Sequence, residues 1–478
     1  MLTAQEFYRV PAVRERIAEY CGGSAREPQL CSAEYLVGYG EALLGTPAPE
    51  PYVSVPTDKL GMLLDRGLDI FRSIWDNHHL LGVLDVEYFN LDHPGQVYFD
   101  QVDTFQRLEP IYRAILEVFV SFGIKPLTLM TGQGYHFSFQ VQAGTEAVLL
   151  LEDIGKLGPS LEKKYRETGS KRRRPVSLRY GRAFDGMGRV MEFITHLAMR
   201  RAAEFTNLPL VITDVAIGKG PREREAVSFD LSCFGDPVFM RDIRCAFSTH
   251  QKHKVQRWKV GDEIADGTPV QIAIPRKHLN LEDTISLRRH FRRAAEYAAG
   301  INCFIPNYSS DLKRVIGAYL SSPLADFHRW FDGQPPLPPE KWEENYGQMN
   351  YAELPPCLRI PLEQPNDALL KPTNLQSLTR ALLARGWHPQ HIAGLVNFRW
   401  VRGPGWPSNQ WKHFDAQSRS SFYVRTFAGL IATGLDEQVD HNCISHQEKG
   451  YCPQPFCGHN LGDSRWDGNI PKEKAGRP

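Results

Sequence analysis

The sequence predicts an α+β domain followed by a smaller, mainly α domain. Three observations carry this. Strand-patterned runs such as HLLGVLDVEYFN alternate with amphipathic helical runs such as LEPIYRAILEVFVSFGI up to about residue 305. A proline-rich stretch, GQPPLPPEKWEEN, then interrupts the pattern. Beyond it the apolar spacing is helical, and cysteines crowd toward the end. The expected boundaries are an N-terminal helical extension over 1–55, the α+β domain over 56–305 and a linker region over 306–350. A helical cysteine domain over 351–465 and a disordered tail over 466–478 complete the chain.

Residues 1–50 read as helical segments that end in the linker-like TPAPEPYVSVP, since proline punctuation marks boundaries. DKLGMLLDRGLDIFRSIWDNH has helical spacing of its apolar residues. HLLGVLDVEYFN is rich in branched and aromatic residues and predicts a strand. The helix in LEPIYRAILEVFVSFGI stops at a glycine. LTLMTGQGYHFSFQVQ predicts two short strands around a glycine turn. Residues 152–185 form a polar insertion with the basic run Lys171, Arg172, Arg173 and Arg174. MGRVMEFITHLAMRRAAEF is a further helix, and AVSFDLSCFGD with FMRDIRCAFSTHQKH predicts strand, turn and strand. LEDTISLRRHFRRAAEYAAG reads as one basic helix. NLQSLTRALLARGW, HPQHIAGLVNFRW and SSFYVRTFAGLIATG supply the late helices.

The 478 residues are 42% apolar and 23% charged, an ordinary globular composition with room for a sizeable core. A net charge of +1 gives no compositional support for nucleic-acid binding, so a binder must concentrate its cations locally. No apolar run approaches the roughly 20 residues that span a bilayer, and the N-terminus has no apolar signal region. A cytoplasmic protein without a membrane partner is expected. Of the nine cysteines, Cys443, Cys452 and Cys457 cluster late, with Cys357 upstream. In a reducing compartment this spacing favours a metal or cluster site over disulfides.

In VLDVEYF, Asp85 and Glu87 lie two apart on the predicted strand, so both point to one face. Two carboxylates on an otherwise apolar strand need a positive partner, either a divalent cation or an arginine pair. In TGQGYHF, Gly132 and Gly134 allow close backbone approach to a ligand, and His136 follows on the strand. A tight hairpin with a half-buried histidine fits the same residues. Asp230 lies on a strand in AVSFDLSCFGD and Asp236 in the turn after it. Arg241, Arg244, Ser248, His250 and Lys252 then crowd together. Carboxylates that hold cations, followed by groups that take phosphate oxygens, suit a metal–triphosphate site. A solvated, salt-bridged hairpin is the plainer alternative. Asp214, in VITDVAIG, rivals Asp230 as third carboxylate, but no basic string follows it closely.

The order of these three motifs, above all FDLSCFGDPVFMRDIRCAFSTHQKH, resembles the archaeo-eukaryotic primase superfamily. The Asp-x-Glu pair is similar to its primase-polymerase branch. The resemblance implies an RRM-like sheet core with flanking helices and two bound cations, magnesium or manganese, on Asp85, Glu87 and Asp230. It further implies that Gly132, Gly134, His136, Arg244, Ser248, His250 and Lys252 contact the incoming nucleotide. The expected activity is primer synthesis on single-stranded DNA from NTP or dNTP, beside a helicase or other replication proteins. A gap-filling or translesion polymerase is the alternative within polymerases. A non-catalytic nucleic-acid-binding replication factor is the alternative of another class.

The cysteine segment HNCISHQEKGYCPQPFCGHN also carries His441, His446 and His459, so its residues allow zinc as well as an iron–sulfur cluster. With LPPCLRI upstream and helices between, the order resembles the C-terminal domain of the primase large subunit. That resemblance implies a 4Fe–4S cluster on Cys357, Cys443, Cys452 and Cys457, with a role in initiation. With such a cluster formed, its basic neighbours Arg399, Arg402 and Lys412 are expected to meet template or initiating nucleotide.

Overall fold

A computed structural model describes residues 2–44, 51–167, 175–235, 242–406, 411, 414–436, 440–464, 466 and 468. Lys171–Arg174, Asp236, Arg241, Lys412 and most of the tail lie outside these residues. The described chain is mixed helix and sheet. Its strands are β1 (Leu36–Tyr39), β2 (Tyr52–Val55), β3 (Asp69–Ser73), β4 (His79–Asn90), β5 (Leu127–Met130) and β6 (Gly134–Gln142). β7 (Leu210–Ile212), β8 (Glu225–Asp230), β9 (Asp242–Arg244), β10 (Thr249–His250), β11 (Gln271–Ile272) and β12 (Ile274–Pro275) follow.

A six-stranded sheet in the order β12-β5-β6-β4-β8-β7 forms the centre. β4 lies between β6 and β8, antiparallel to both, while the edge strand β7 runs parallel to β8. Alternation sets the two faces of β4. Leu84, Val86 and Tyr88 are fully buried on one face. The long helices Gln101–Ser121 and Leu178–Ala203 cover that face. Tyr112 of the first meets Tyr135 and Phe137 of β6 with ring centroids 4.7 and 5.8 Å apart. Ser177 caps the second helix by accepting from the Tyr180 N–H. At Gly186 a Cβ would fall 2.0 Å from the Leu151 carbonyl oxygen, so glycine is what lets helix Glu146–Ile154 pack this closely.

The other face of β4 is closed at one end and open at the other. At Val83 it is sealed, and the neighbouring Ser138 of β6 hydrogen-bonds the Tyr20 hydroxyl at 3.0 Å. From Asp85 onward every second residue, Asp85, Glu87 and Phe89, is only half buried. A second sheet, β2-β1-β3-β9, stands across from this opening.

Several elements differ from the sequence expectation. The N-terminal region is not helical throughout: β1 and β2 lie within it and near its proline boundary, and β1 pairs with β3. The helix expected over 58–78 stops at Asp65, Gly67 takes φ +67°, and β3 begins at Asp69. The single basic helix is two, Leu281–Arg288 and Phe291–Ala299, separated by extended backbone at His290. The 306–350 region contains the helices Leu312–Leu320 and Pro323–Gly333 before its prolines.

The late helices Pro372–Leu383, Pro389–Arg402 and Ala416–Ala432 are present as expected, and the LPPCLRI segment adds a further helix, Pro356–Glu363. Ala416–Ala432 joins Leu178–Ala203 through a buried charge network. Arg425 reaches Glu192 at 3.4 Å, and Arg189 bridges Asp185 at 2.8 Å and Asp332 at 2.6 Å. Burial raises the cost of the Glu192 carboxylate, but His328 and Arg425 outweigh it and hold its pKa at about 2. Among the described residues, no helix is long and apolar enough to cross a membrane.

Candidate active site

Strand register brings the predicted carboxylates together. Asp85 of β4 pairs directly with Asp230 of β8 on one side and with His136 of β6 on the other. Directly paired residues share a face, so these three side chains form a row across three strands, with Glu87 one step along. His136 Nε2 lies 3.2 Å from Asp85 Oδ1, and Lys252 Nζ lies 3.6 Å from Glu87 Oε2. Lys252 also donates to Gln133 Oε1 at 2.5 Å. Asp230 Oδ1 accepts from the Ser232 N–H at 2.8 Å and the Thr213 hydroxyl at 3.2 Å. Asp214 is exposed and follows Thr213, whose φ is +57°.

A cavity of about 230 Å³ opens on this row. Asp85, Glu87, His136, Arg244, His250 and Lys252 line it, so six of the predicted residues share one space. Asp230 borders Asp85 without lining the cavity. Three buried polar atoms around it, Thr131 Oγ1, His136 Nδ1 and His250 Nδ1, have no hydrogen-bond partner among the described residues. Burial without a partner costs about 1–3 kcal/mol per group, so such atoms call for a ligand or water.

The basic string is used unevenly. Arg244 stacks on Phe71 with its guanidinium carbon 4.3 Å from the ring centre. Its Nη1 donates to Asp69 Oδ2 at 2.8 Å and to the Thr249 carbonyl. Burial pushes the Asp69 pKa upward and Arg244 opposes that push, so the two groups depend on each other. His250 is held well below its ordinary pKa, first by burial and then by Arg244 and Lys252. Its Nε2 faces the Tyr98 hydroxyl at 3.2 Å. With that hydroxyl donating, the neutral ring carries its proton on the unpartnered Nδ1.

Three sequence expectations change here. Ser248 is fully buried away from the cavity; its hydroxyl accepts from the Ile70 N–H at 2.7 Å and donates to the Thr249 carbonyl. Gly132 and Gly134 do not have the positive φ of an anion nest. They make room inside the site instead. A Cβ at Gly132 would lie 2.1 Å from His250 Nε2, and one at Gly134 would lie 1.8 Å from the Val86 carbonyl oxygen. Sequence reasoning passed over Asp242, which lines the cavity and shares a strand face with Arg244 two residues later. That spacing was a usable signal. Asp69 had none, being 175 residues from Arg244.

Carboxylate oxygens are the ligands a hard divalent cation takes, but among the described residues no three His, Cys, Asp or Glu are grouped so that they could hold a metal ion. The four late-domain cysteines are the second set of residues singled out by the sequence. Burial pushes the Cys357 thiol up to about 12, and the charges of Cys452, Cys443 and Cys457 add to the rise. Cys443 Sγ also accepts from the Leu461 N–H at 3.4 Å. Among the described residues these four cysteines are not grouped as metal ligands.

Comparison with protein-family models, with curated proteins and with solved structures finds no match to this chain.

Proposed function

We propose that the chain is a template-directed nucleotidyltransferase of the primase type, making primers on single-stranded DNA from nucleoside triphosphates. The observation that carries this reading is the row Asp230–Asp85–His136, with Glu87 beside it, on the open part of a buried strand. Asp85, Glu87 and Asp230 would hold magnesium or manganese. Bound cations supply the charge that activates a 3′-hydroxyl and neutralises the departing pyrophosphate. His136 orients the Asp85 carboxylate, and Lys252 balances Glu87 while presenting its ammonium to the cavity. The neutral His250 offers a phosphate oxygen one N–H, and Arg244, fixed by Asp69, offers a preset charge.

Cys357, Cys443, Cys452 and Cys457 would hold a 4Fe–4S cluster that ties the start of the late domain to its end. We assign that domain to initiation. Synthesis on single-stranded template without an added primer is the deciding assay. Extension of a supplied primer without initiation would favour gap filling. Template binding with no incorporation would favour a non-catalytic replication factor.

A further inference from the structure

Beyond Glu87, the open face of β4 continues to Phe89. There a second cavity of about 320 Å³ adjoins the first. Lys252 and Gln256 line both, so they are a shared wall. Tyr98, which lines the second cavity, also hydrogen-bonds His250, which lines the first. Phe89, His93, Gln133, Trp258 and Lys259 complete the part of the lining that matters here. Trp258 is 83% exposed, although an indole gains by being covered.

The smaller cavity is walled by charge and holds unpartnered polar atoms. The larger one is walled by aromatic rings with amide, imidazole and ammonium groups between them. With cations held on Asp85 and Glu87, as proposed above, a ligand that is anionic at one end and a flat heterocycle at the other matches this order. We infer that the two cavities hold a single nucleoside triphosphate, with its phosphates beside Asp85, Lys252 and Arg244 and its base against Phe89 and Trp258. The inference rests on the nucleotidyl-transfer reading and deepens it. Stacking on an aromatic face accepts every base, which suits an enzyme that must copy any template. Trp258 is thus a positioning residue.

Isothermal calorimetry on the full chain with Mg²⁺ tests this, using dATP and inorganic tripolyphosphate as separate probes. The expected result is tighter binding of dATP than of tripolyphosphate. Trp258→Ala should weaken dATP about five- to a hundredfold, leave tripolyphosphate unchanged, and be largely rescued by Trp258→Phe. Because the side chain is exposed, the substitution leaves the core intact. Unchanged dATP affinity in Trp258→Ala, equal weakening of both probes, or equal wild-type affinity for both would overturn the base assignment alone. A wild-type chain that binds neither probe would overturn the nucleotidyl-transfer reading with it.

Discussion

Asp85 and Asp230 stand directly opposite each other on neighbouring antiparallel strands, 145 positions apart in sequence by the difference of their numbers. Like charges so placed repel, and each is drawn off by a different partner. His136 faces Asp85, while the Ser232 N–H and Thr213 hydroxyl face Asp230. A cation between them would relieve the repulsion directly. Asp85→Ala, Glu87→Ala and Asp230→Ala should each lower single-turnover incorporation by at least about a hundredfold, with thermal melts unchanged within a few degrees. Asp214→Ala, at an exposed position, should cost less than about threefold. Activity that survives Asp230→Ala but not Asp214→Ala would move the third ligand.

Arg244 should behave differently from the other proposed phosphate contacts. Removing it leaves Asp69 buried and unpaired, so Arg244→Ala should lose about 3–5 kcal/mol of stability in denaturant unfolding. His136→Ala should leave stability nearly intact and raise the nucleotide KM more than the template Kd. Template binding should instead show the steep salt dependence of spread-out Lys and Arg contacts. The pairing is checked by Asp69→Asn combined with Arg244→Gln, which should recover part of the stability lost by Arg244→Ala. No recovery would mean that the stacking of Arg244 on Phe71 matters more than its charge.

Acid should destabilise the fold through buried neutral histidines. Burial holds His253 at about 4, against an ordinary value of 6.5, while its Nε2 lies 3.2 Å from the Thr268 carbonyl oxygen. The unfolded chain therefore takes the proton first as pH falls. The resulting contribution is fully present above 6.5, shrinks as pH drops toward 4, and amounts to about 3 kcal/mol for this group. His250 acts with the same sign. Melting temperature should fall between pH 6.5 and 5, and His253→Asn should flatten that slope. An unchanged slope would show that His253 takes up its proton without disturbing the fold.

What was legible in the sequence was local. The Asp85–Glu87 pair could be read because a strand repeats every two residues, and β4 has the bounds of the expected HLLGVLDVEYFN run. The late helices showed themselves through their apolar spacing. Long-range partners were not legible: nothing near Arg244 announces Asp69, and the short strands Leu36–Tyr39 and Tyr52–Val55 become strands by pairing with each other and with β3. The glycines illustrate the same limit. Sequence shows that Gly132 lacks a Cβ, whereas only the fold shows that the His250 ring fills the space.

The cysteine centre gives the last prediction. Helix Cys443–Glu448 starts at a proposed cluster ligand and ends at a seam with the sheet domain. Glu448 accepts from the Lys219 N–H at 2.7 Å, and its carbonyl accepts from Arg224 Nη1 at 2.8 Å. Arg224 in turn forks onto Asp92, just past the end of β4. Asp440 accepts from the Gly218 N–H across the same seam. A cluster on Cys357, Cys443, Cys452 and Cys457 would fix this helix and hence the position of the late domain beside β4. Anaerobically purified protein should contain iron and sulfide in equal amounts and show broad visible absorption, all lost in Cys357→Ser. Primer initiation should then fall at least about tenfold, while extension of a supplied primer changes less than about threefold, because the carboxylates belong to the sheet. Zinc without sulfide, retained in Cys357→Ser, would instead assign the site to the late cysteines with one of His441, His446 or His459.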